Sequence, residues 1–397
     1  MHPRQVTFED AIAPLSPSEF LASYWGRTHL RLRGKPGRFA YLLPWAELNR
    51  ILESHQLHAP RLRLAQDGKD INENRYLASL EDGSVRVLKP AALANCLHAG
   101  ATLVLDRVEE MAPAVRELAV DFERALGCHT TVNLYAGWRT QNGFDLHWDS
   151  QETMILQLDG RKHWKVFAPT RIHPIENDIE KAAKPTGEPV WEGILEDGDM
   201  LYMPRGWWHV AYPLDEPSLH LTMTSTPATG VELLGWLVEK MKQNPRVRAN
   251  VPAFLDSAAR SSYVAQLRAS LLAALNDDML DQFLENLDAA AVTRPRVRLP
   301  EQVALGSAPI TAQSRVRLAL GRRLRIDRAG DLKGMLVVAN DQQWRCSERI
   351  VPALRALSRD SSHSLAELCA LLPEPADSAA LKLFLATLSL TGAIWVE

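Results

Sequence analysis

Between residues 130 and 226 the sequence breaks into short runs rich in β-branched and aromatic residues, parted by turn signals. This texture restricts the fold more than any other feature of the chain. The runs are TTVNLYAGW, ETMILQL, HWKVFAP, MLYMP, WHVAYPL and SLHLTMTST, and Asp159-Gly160 and Asp197-Gly198-Asp199 are turns that join such runs. Several short strands at this spacing imply a β-sandwich or a small barrel.

The flanks read differently. Residues 16–25 have the signals of a capped helix, with Ser16 as N-cap, Pro17 in the first turn and Glu19 placed to complete a capping box. The alternation in HLRLR, inside a basic segment with Arg27, Arg31, Arg33, Lys35 and Arg38, fits a strand with one polar face. Residues 113–126 form an amphipathic pattern opened by a proline and ended by Gly127. After residue 230, helical periodicity recurs over 233–242, 253–275 and 278–291, as expected for a bundle or a dimerisation module. A linker, TRPRVRLPEQ, follows. The last stretch mixes strands (MLVVAN, GAIWVE) with helices over 347–357, 365–372 and 379–390, compatible with a winged-helix domain. With 397 residues, two or three domains are expected.

The net charge of −3 excludes a polyanion binder by bulk charge, though nine arginines against Glu301 and Asp327 lie between residues 294 and 328. That stretch is a candidate contact for ribosomal RNA or an acidic protein surface, or a solvated linker and strand edge. Cys96, Cys128, Cys346 and Cys369 are scattered without a C-x-x-C pair, so neither a zinc ribbon nor a disulfide framework is expected. Residues 1–15 include Glu9 and Asp10 and lack a long apolar run, and no stretch is long enough to span a bilayer; the expectation is a cytoplasmic protein without a membrane partner.

The chemistry is carried by FDLHWDSQETMILQLDGRKHWKVFAP. On an extended strand His147 and Asp149 point to one face and Trp148 to the other. A third ligand is expected from His209, in MPRGWWHVAY, just inside the strand that follows the Pro204-Arg205-Gly206 turn. Two imidazoles and a carboxylate on one face leave coordination positions open, as iron(II) needs to hold a co-substrate and dioxygen together. His220 shares a strand face with Thr222 and Thr224; a structural role is the readier reading, and pocket lining the other. Trp25, Trp164, Trp191 and Trp207 read as core or rim.

Residues 20–225 resemble the JmjC-type oxygenases of the cupin superfamily, and within them the ribosomal oxygenases. The carrying segments are FLASYWGRTHLRLRG, TVNLYAGW, LHWDSQETMILQLDGRKHWKVF and DGDMLYMPRGWWHV. The resemblance implies a mainly β catalytic domain of double-stranded β-helix type over residues 1–228, a helical dimerisation region over 229–295, and an α+β winged-helix-like domain over 305–397. It implies iron(II) at His147, Asp149 and His209, and 2-oxoglutarate as co-substrate. Lys162 stands where the family places the cation for the distal carboxylate. That role agrees with chemistry, since a chelated keto acid needs a cation for its far end. Asn133 and Tyr135 share one face of the strand before H-x-D and are candidates for the co-substrate pocket, as is Thr153. Bacterial arginyl hydroxylases favour an arginine where this chain has Lys162, which brings the chain nearer the animal members that act on histidine.

The expected activity is hydroxylation of a protein side chain, an arginine or histidine of a ribosomal protein, by a homodimer. Extra domains give more surface than a small-molecule hydroxylase needs. The alternatives are a cupin metalloenzyme that does not use 2-oxoglutarate, a hydroxylase of a non-ribosomal peptide or small molecule, and a non-catalytic barrel whose C-terminal domain binds nucleic acid.

Overall fold

The alternation read in the central runs becomes, in the computed structural model of the chain, two facing sheets with different neighbours on each side. Residues 6–80, 85–181, 183–254, 256–291, 310–319, 323–329, 334–358 and 361–396 are described, with residues 293, 294, 297 and 299. The chain divides into two units, Met1–Pro227 and Ala228–Glu397.

In the first unit the strands are β1 (Leu30–Leu32), β2 (Leu62–Gln66), β3 (Lys69–Asp70), β4 (Leu77–Leu80), β5 (Val85–Leu88), β6 (Thr102–Leu105), β7 (His129–Gly137), β8 (Glu152–Asp159), β9 (Lys162–Phe167), β10 (Trp191–Leu195), β11 (Met200–Met203), β12 (Trp208–Pro213) and β13 (Ser218–Thr226). The larger sheet runs β1-β11-β8-β13-β7-β6-β2-β3 and the smaller β10-β9-β12, while β4 and β5 pair apart. The first unit is thus a mainly β domain with helices added. Of the two architectures left open by strand spacing, the barrel is the one formed.

Period 2 explains which residues meet. On β7, β8 and β13, Val132, Leu134, Met154, Leu156, Leu221 and Met223 belong to the main core. The helix Pro113–Leu126 covers that face with Val115, Leu118, Ala119 and Phe122, all essentially inaccessible. Its bounds are those read from the sequence, and Gly127 ends it with φ +67°, the left-handed geometry glycine adopts without a Cβ clash. The intervening residues point into the barrel, where Ile155, Trp164, Val166, Leu195, Leu201 and Met203 form a second, small core. Apolar burial at roughly 25 cal/mol per Å² holds both layers together.

Three local readings differ from expectation. The helix read over 16–25 is Pro17–Ser23, and Ser16 accepts from the Glu19 amide, so the cap forms in its forward half. The H-x-D segment is not part of a regular strand: His147 makes an isolated bridge to His209, and β8 begins only at Glu152. Backbone between β7 and β8 has to turn into the barrel mouth here, which breaks the ladder. Strands β2, β3, β4, β5, β6 and β10 lie outside the runs read as strands.

The second unit opens with helices Gly230–Met241, Ser257–Ala274 and Met279–Ala290. Beyond them Arg315–Leu318 lies between His363–Ser364 and Ile394–Val396 in one small sheet, and Arg325–Arg328, Met335–Ala339 and Gln342–Cys346 form another. The terminal strand therefore pairs with Arg315–Leu318 rather than closing a terminal hairpin. A separate core, with Val316, Val337, Leu354, Leu368, Leu385 and Ile394, holds these pieces. Residues 305–309, at the start of the expected winged-helix-like domain, and Arg296, Arg298 and Arg322 of the basic stretch lie outside the described residues. No described helix is long and apolar enough to cross a membrane.

Candidate functional site

Backbone pairing brings the three candidate ligands together. His147 and His209 exchange amide–carbonyl hydrogen bonds at 3.2 and 2.8 Å, and the Gly206 amide donates to the Asp149 carbonyl at 2.9 Å. The Pro204-Arg205-Gly206 turn is thus fastened to one ligand while the following strand is fastened to another. Each imidazole is then oriented through Nδ1, that of His147 on the Asp145 carbonyl at 2.7 Å and that of His209 on the Trp207 carbonyl at 3.1 Å. Such bonds fix the ring and leave Nε2 free to face an ion. His209 Nε2 lies 3.6 Å from Asp149 Oδ2.

The ligand atoms of His147, Asp149 and His209 all lie within 4.8 Å of one another. Small side-chain rotations close that span around one ion with bonds of about 2.1 Å. Burial and the neighbouring His147 hold His209 well below the ordinary histidine range, against the pull of Asp149. It is therefore a neutral imidazole near pH 7 and has no proton to lose on binding metal. The donor set and its geometry fit a first-row divalent ion.

A cavity of about 280 Å³ adjoins the three residues. Lys162, the first residue of β9, enters it because the chain reverses at Gly160, where φ is +64° and a Cβ would sit 1.9 Å from the Pro217 carbonyl oxygen. Lys162 is 6% exposed. Burial alone lowers its pKa to about 7, with no nearby carboxylate raising it. An ammonium in this position costs several kcal/mol unless an anion joins it, which marks a functional group rather than a structural one.

Tyr135 and Thr153 line the same cavity. Burial raises the Tyr135 phenol above its ordinary range, so it is a hydroxyl donor at any working pH. Thr153 stands on β8, four residues past Asp149 and beyond the ligand segment. Asn133 is not among the lining residues. It accepts from the Arg107 amide at 3.1 Å and hydrogen-bonds Tyr135, and so holds Tyr135 from behind. His220, read more readily as structural, lines the cavity, and so does Trp164. Arg63 and Thr102 were not singled out in the sequence at all; they arrive from β2 and β6. Arg63 is tied to Asp106 at 3.1 Å.

Known proteins resemble the chain in sequence and in fold. Residues 110–233 match the JmjC domain family. A Drosophila persimilis protein named bifunctional lysine-specific demethylase and histidyl-hydroxylase NO66 is 28% identical over 260 residues, 62% of this chain and 36% of the relative. Chicken (Gallus gallus) ribosomal oxygenase 1 is 31% identical over 225 residues, 55% of this chain and 36% of the relative. The chain thus spans about a third of the length of these curated relatives. The Escherichia coli ribosomal oxygenase YcfD, solved with cobalt and 2-oxoglutarate, superposes with a TM-score of 0.58 at 19% identity, covering 97% of this chain and 99% of that one. At that identity the superposition speaks for the fold. Residues 110–233 therefore match a JmjC domain, and the chain is similar in sequence to the ribosomal oxygenases.

Proposed function

We propose that the chain is an iron(II)- and 2-oxoglutarate-dependent oxygenase that hydroxylates a protein side chain, an arginine or histidine of a ribosomal protein. The observation that carries this reading is the buried Lys162, without an acidic partner, in the cavity that adjoins a two-histidine, one-carboxylate cluster. A dicarboxylate chelating the metal at its 2-oxo acid end needs a cation of this kind at its other end. The relatives' names supply the rest: one is a histidyl-hydroxylase and another a ribosomal oxygenase, and the E. coli structure holds cobalt and 2-oxoglutarate.

His147, Asp149 and His209 would hold the iron. When bound, iron with its keto acid supplies the oxidising chemistry, splitting dioxygen between co-substrate and target. The chain's own residues position and exclude. Lys162 neutralises the distal carboxylate, and Tyr135 and Thr153 offer hydroxyls to it. Trp164 and Ile155 close the inner end of the pocket, keeping water from the reacting centre. No separate general base is required.

The partner readings have separate support. Val231, Leu234 and Val238, spaced along one face of Gly230–Met241, are 53–60% exposed. Val264, Leu271, Leu272 and Leu275 continue the pattern on and just past Ser257–Ala274. An apolar stripe of this kind favours a homodimer through residues 229–295. Contact with RNA through residues 294–328 has less behind it: Arg315 bonds Ser362, Arg317 stacks on Trp395 and Arg325 bonds Asp327. The winged-helix-like reading of 305–397 and a cytoplasmic location, in keeping with four cysteines that form no disulfide, complete the proposal.

The test is incubation of the full chain with iron(II), 2-oxoglutarate and purified ribosomal proteins. Succinate release coupled to the gain of one oxygen on an arginine or histidine, found by peptide mass spectrometry, is the expected result. Iron binding without any 2-oxoglutarate turnover would remove the reading.

A further inference from the structure

Lys162, Tyr135 and Thr153 offer donors to the far end of the pocket, and a carboxylate has about four lone-pair sites. The wall next to Lys162 holds a further polar group with nothing to bond. His220 is 2% exposed and lines the cavity, and its Nδ1 is buried with no hydrogen-bond partner. Leaving such an atom unmatched costs about 1–3 kcal/mol, and here it belongs to a ring that lines the pocket.

The ring is held in place. Tyr135 stacks on it with centroids 5.0 Å apart and planes 6° apart, and Trp164 meets it edge-on at 5.7 Å and 77°. Its backbone is placed by an irregularity: β13 shifts register against β8 between Leu219 and His220. Bulges of this kind re-aim side chains next to functional sites. Trp164 brings a further donor, since its indole Nε1 is also buried without a partner.

We infer that His220 is a further anchor for the distal carboxylate of the co-substrate, donating one imidazole N–H beside the Lys162 ammonium. This rests on the reading of the cavity as a 2-oxoglutarate pocket. Burial, and then the proximity of Lys162, keep the ring far below the ordinary histidine range. The anchor is therefore neutral, one donor and one acceptor, and adds direction without a second positive charge. Such a pair selects for length and for a terminal carboxylate, because only a ligand reaching both groups satisfies both.

The experiment is anaerobic titration of the iron(II)-loaded full chain, read by the charge-transfer band of the chelate. Calorimetry with the manganese(II) protein gives a readout independent of iron. Two acids are compared: 2-oxoglutarate, and 2-oxopentanoate, which has a methyl in place of the distal carboxylate. His220→Phe keeps the ring stack and removes the donor. It is expected to weaken 2-oxoglutarate about tenfold to a hundredfold, with 2-oxopentanoate and metal binding unchanged. His220→Gln, which restores a donor, is expected to recover part of the loss. Equal weakening of both acids by His220→Phe, or of neither, would overturn the assignment and leave His220 a packing residue. A wild-type chain that binds metal but neither acid would overturn the pocket reading and this anchor with it.

Discussion

Among the described residues, the barrel buries a lysine without an acidic partner and two ring nitrogens without a hydrogen bond, and the helices after Pro227 expose apolar groups. Lys162, His220 and Trp164 are 6%, 2% and 4% exposed, while Val231, Leu234 and Val238 are more than half exposed. Each is the reverse of what a self-sufficient fold does with such residues. In both regions the single chain is incomplete, but what completes it differs. On the proposed reading, an anion and a metal complete the barrel and a second surface completes the helices. Local violations of burial rules therefore report different kinds of partner, according to which rule is broken.

The largest effect tests the barrel side. His209→Ala or Asp149→Ala is expected to abolish stoichiometric metal binding and reduce turnover by more than about a hundredfold, since loss of outer-shell support alone costs ten- to a hundredfold. Metal analysis with a succinate assay checks this. Lys162→Met comes next and has two opposite consequences. Co-substrate affinity is expected to fall about a hundredfold, while the ligand-free protein gains roughly 1–4 kcal/mol, because a buried cation without a carboxylate partner is replaced by an apolar chain of similar length. A denaturant melt showing no gain would mean that Lys162 has a protein partner and that the contrast drawn above is false.

The same lysine sets a pH dependence. Its folded pKa, about 7, lies below its ordinary 10.5. Between those values the unfolded chain binds more protons, so stability of the ligand-free protein is expected to rise with pH from about 7 to 10.5. Co-substrate binding has the opposite slope. Above pH 7 the lysine must take up a proton to meet the anion, and apparent affinity is expected to fall up to about tenfold per pH unit. Isothermal titration in two buffers of different ionisation enthalpy detects that proton directly, and Lys162→Met should remove both slopes.

The helix side is tested by Val231→Glu with Leu234→Glu. A dimer through this stripe should weaken by roughly thirtyfold or more, seen as monomer in light scattering with an unchanged far-ultraviolet spectrum. An unaltered dimer would assign the stripe to another partner. The smallest effect is expected for Asn133→Ala, which frees Tyr135 from behind: a loss of about 1 kcal/mol in co-substrate binding, with metal affinity unaffected.

Much of this was legible in the chain. His147, Asp149, His209 and Lys162 sit in segments whose spacing and turns are local, and local pattern is what sequence displays. The Pro113–Leu126 helix was readable to the residue because proline and glycine mark its two ends. Arg63 and Thr102 were not, because their strands, LRLAQ and TLVL, are too short to announce a face, and only pairing of β6 with β2 and β7 turns them to the cavity. Asn133 was placed one step too far forward: period 2 puts it on the same face as Tyr135, but it is turned to the Arg107 amide, which only the turn after β6 reveals. The missing ladder at the H-x-D segment escaped for a related reason, since its partner is 62 residues away (209 − 147).

That separation has a consequence in time. A ribosome adding roughly 5–20 residues per second needs about 3–12 s to pass from His147 to His209. Through that interval two ligands exist without the third, and the backbone bridge that orients them has no second strand. On the proposed reading metal capture waits on nearly the whole barrel, so a nascent chain paused short of β12 carries two of the three candidate ligands and no oxidant.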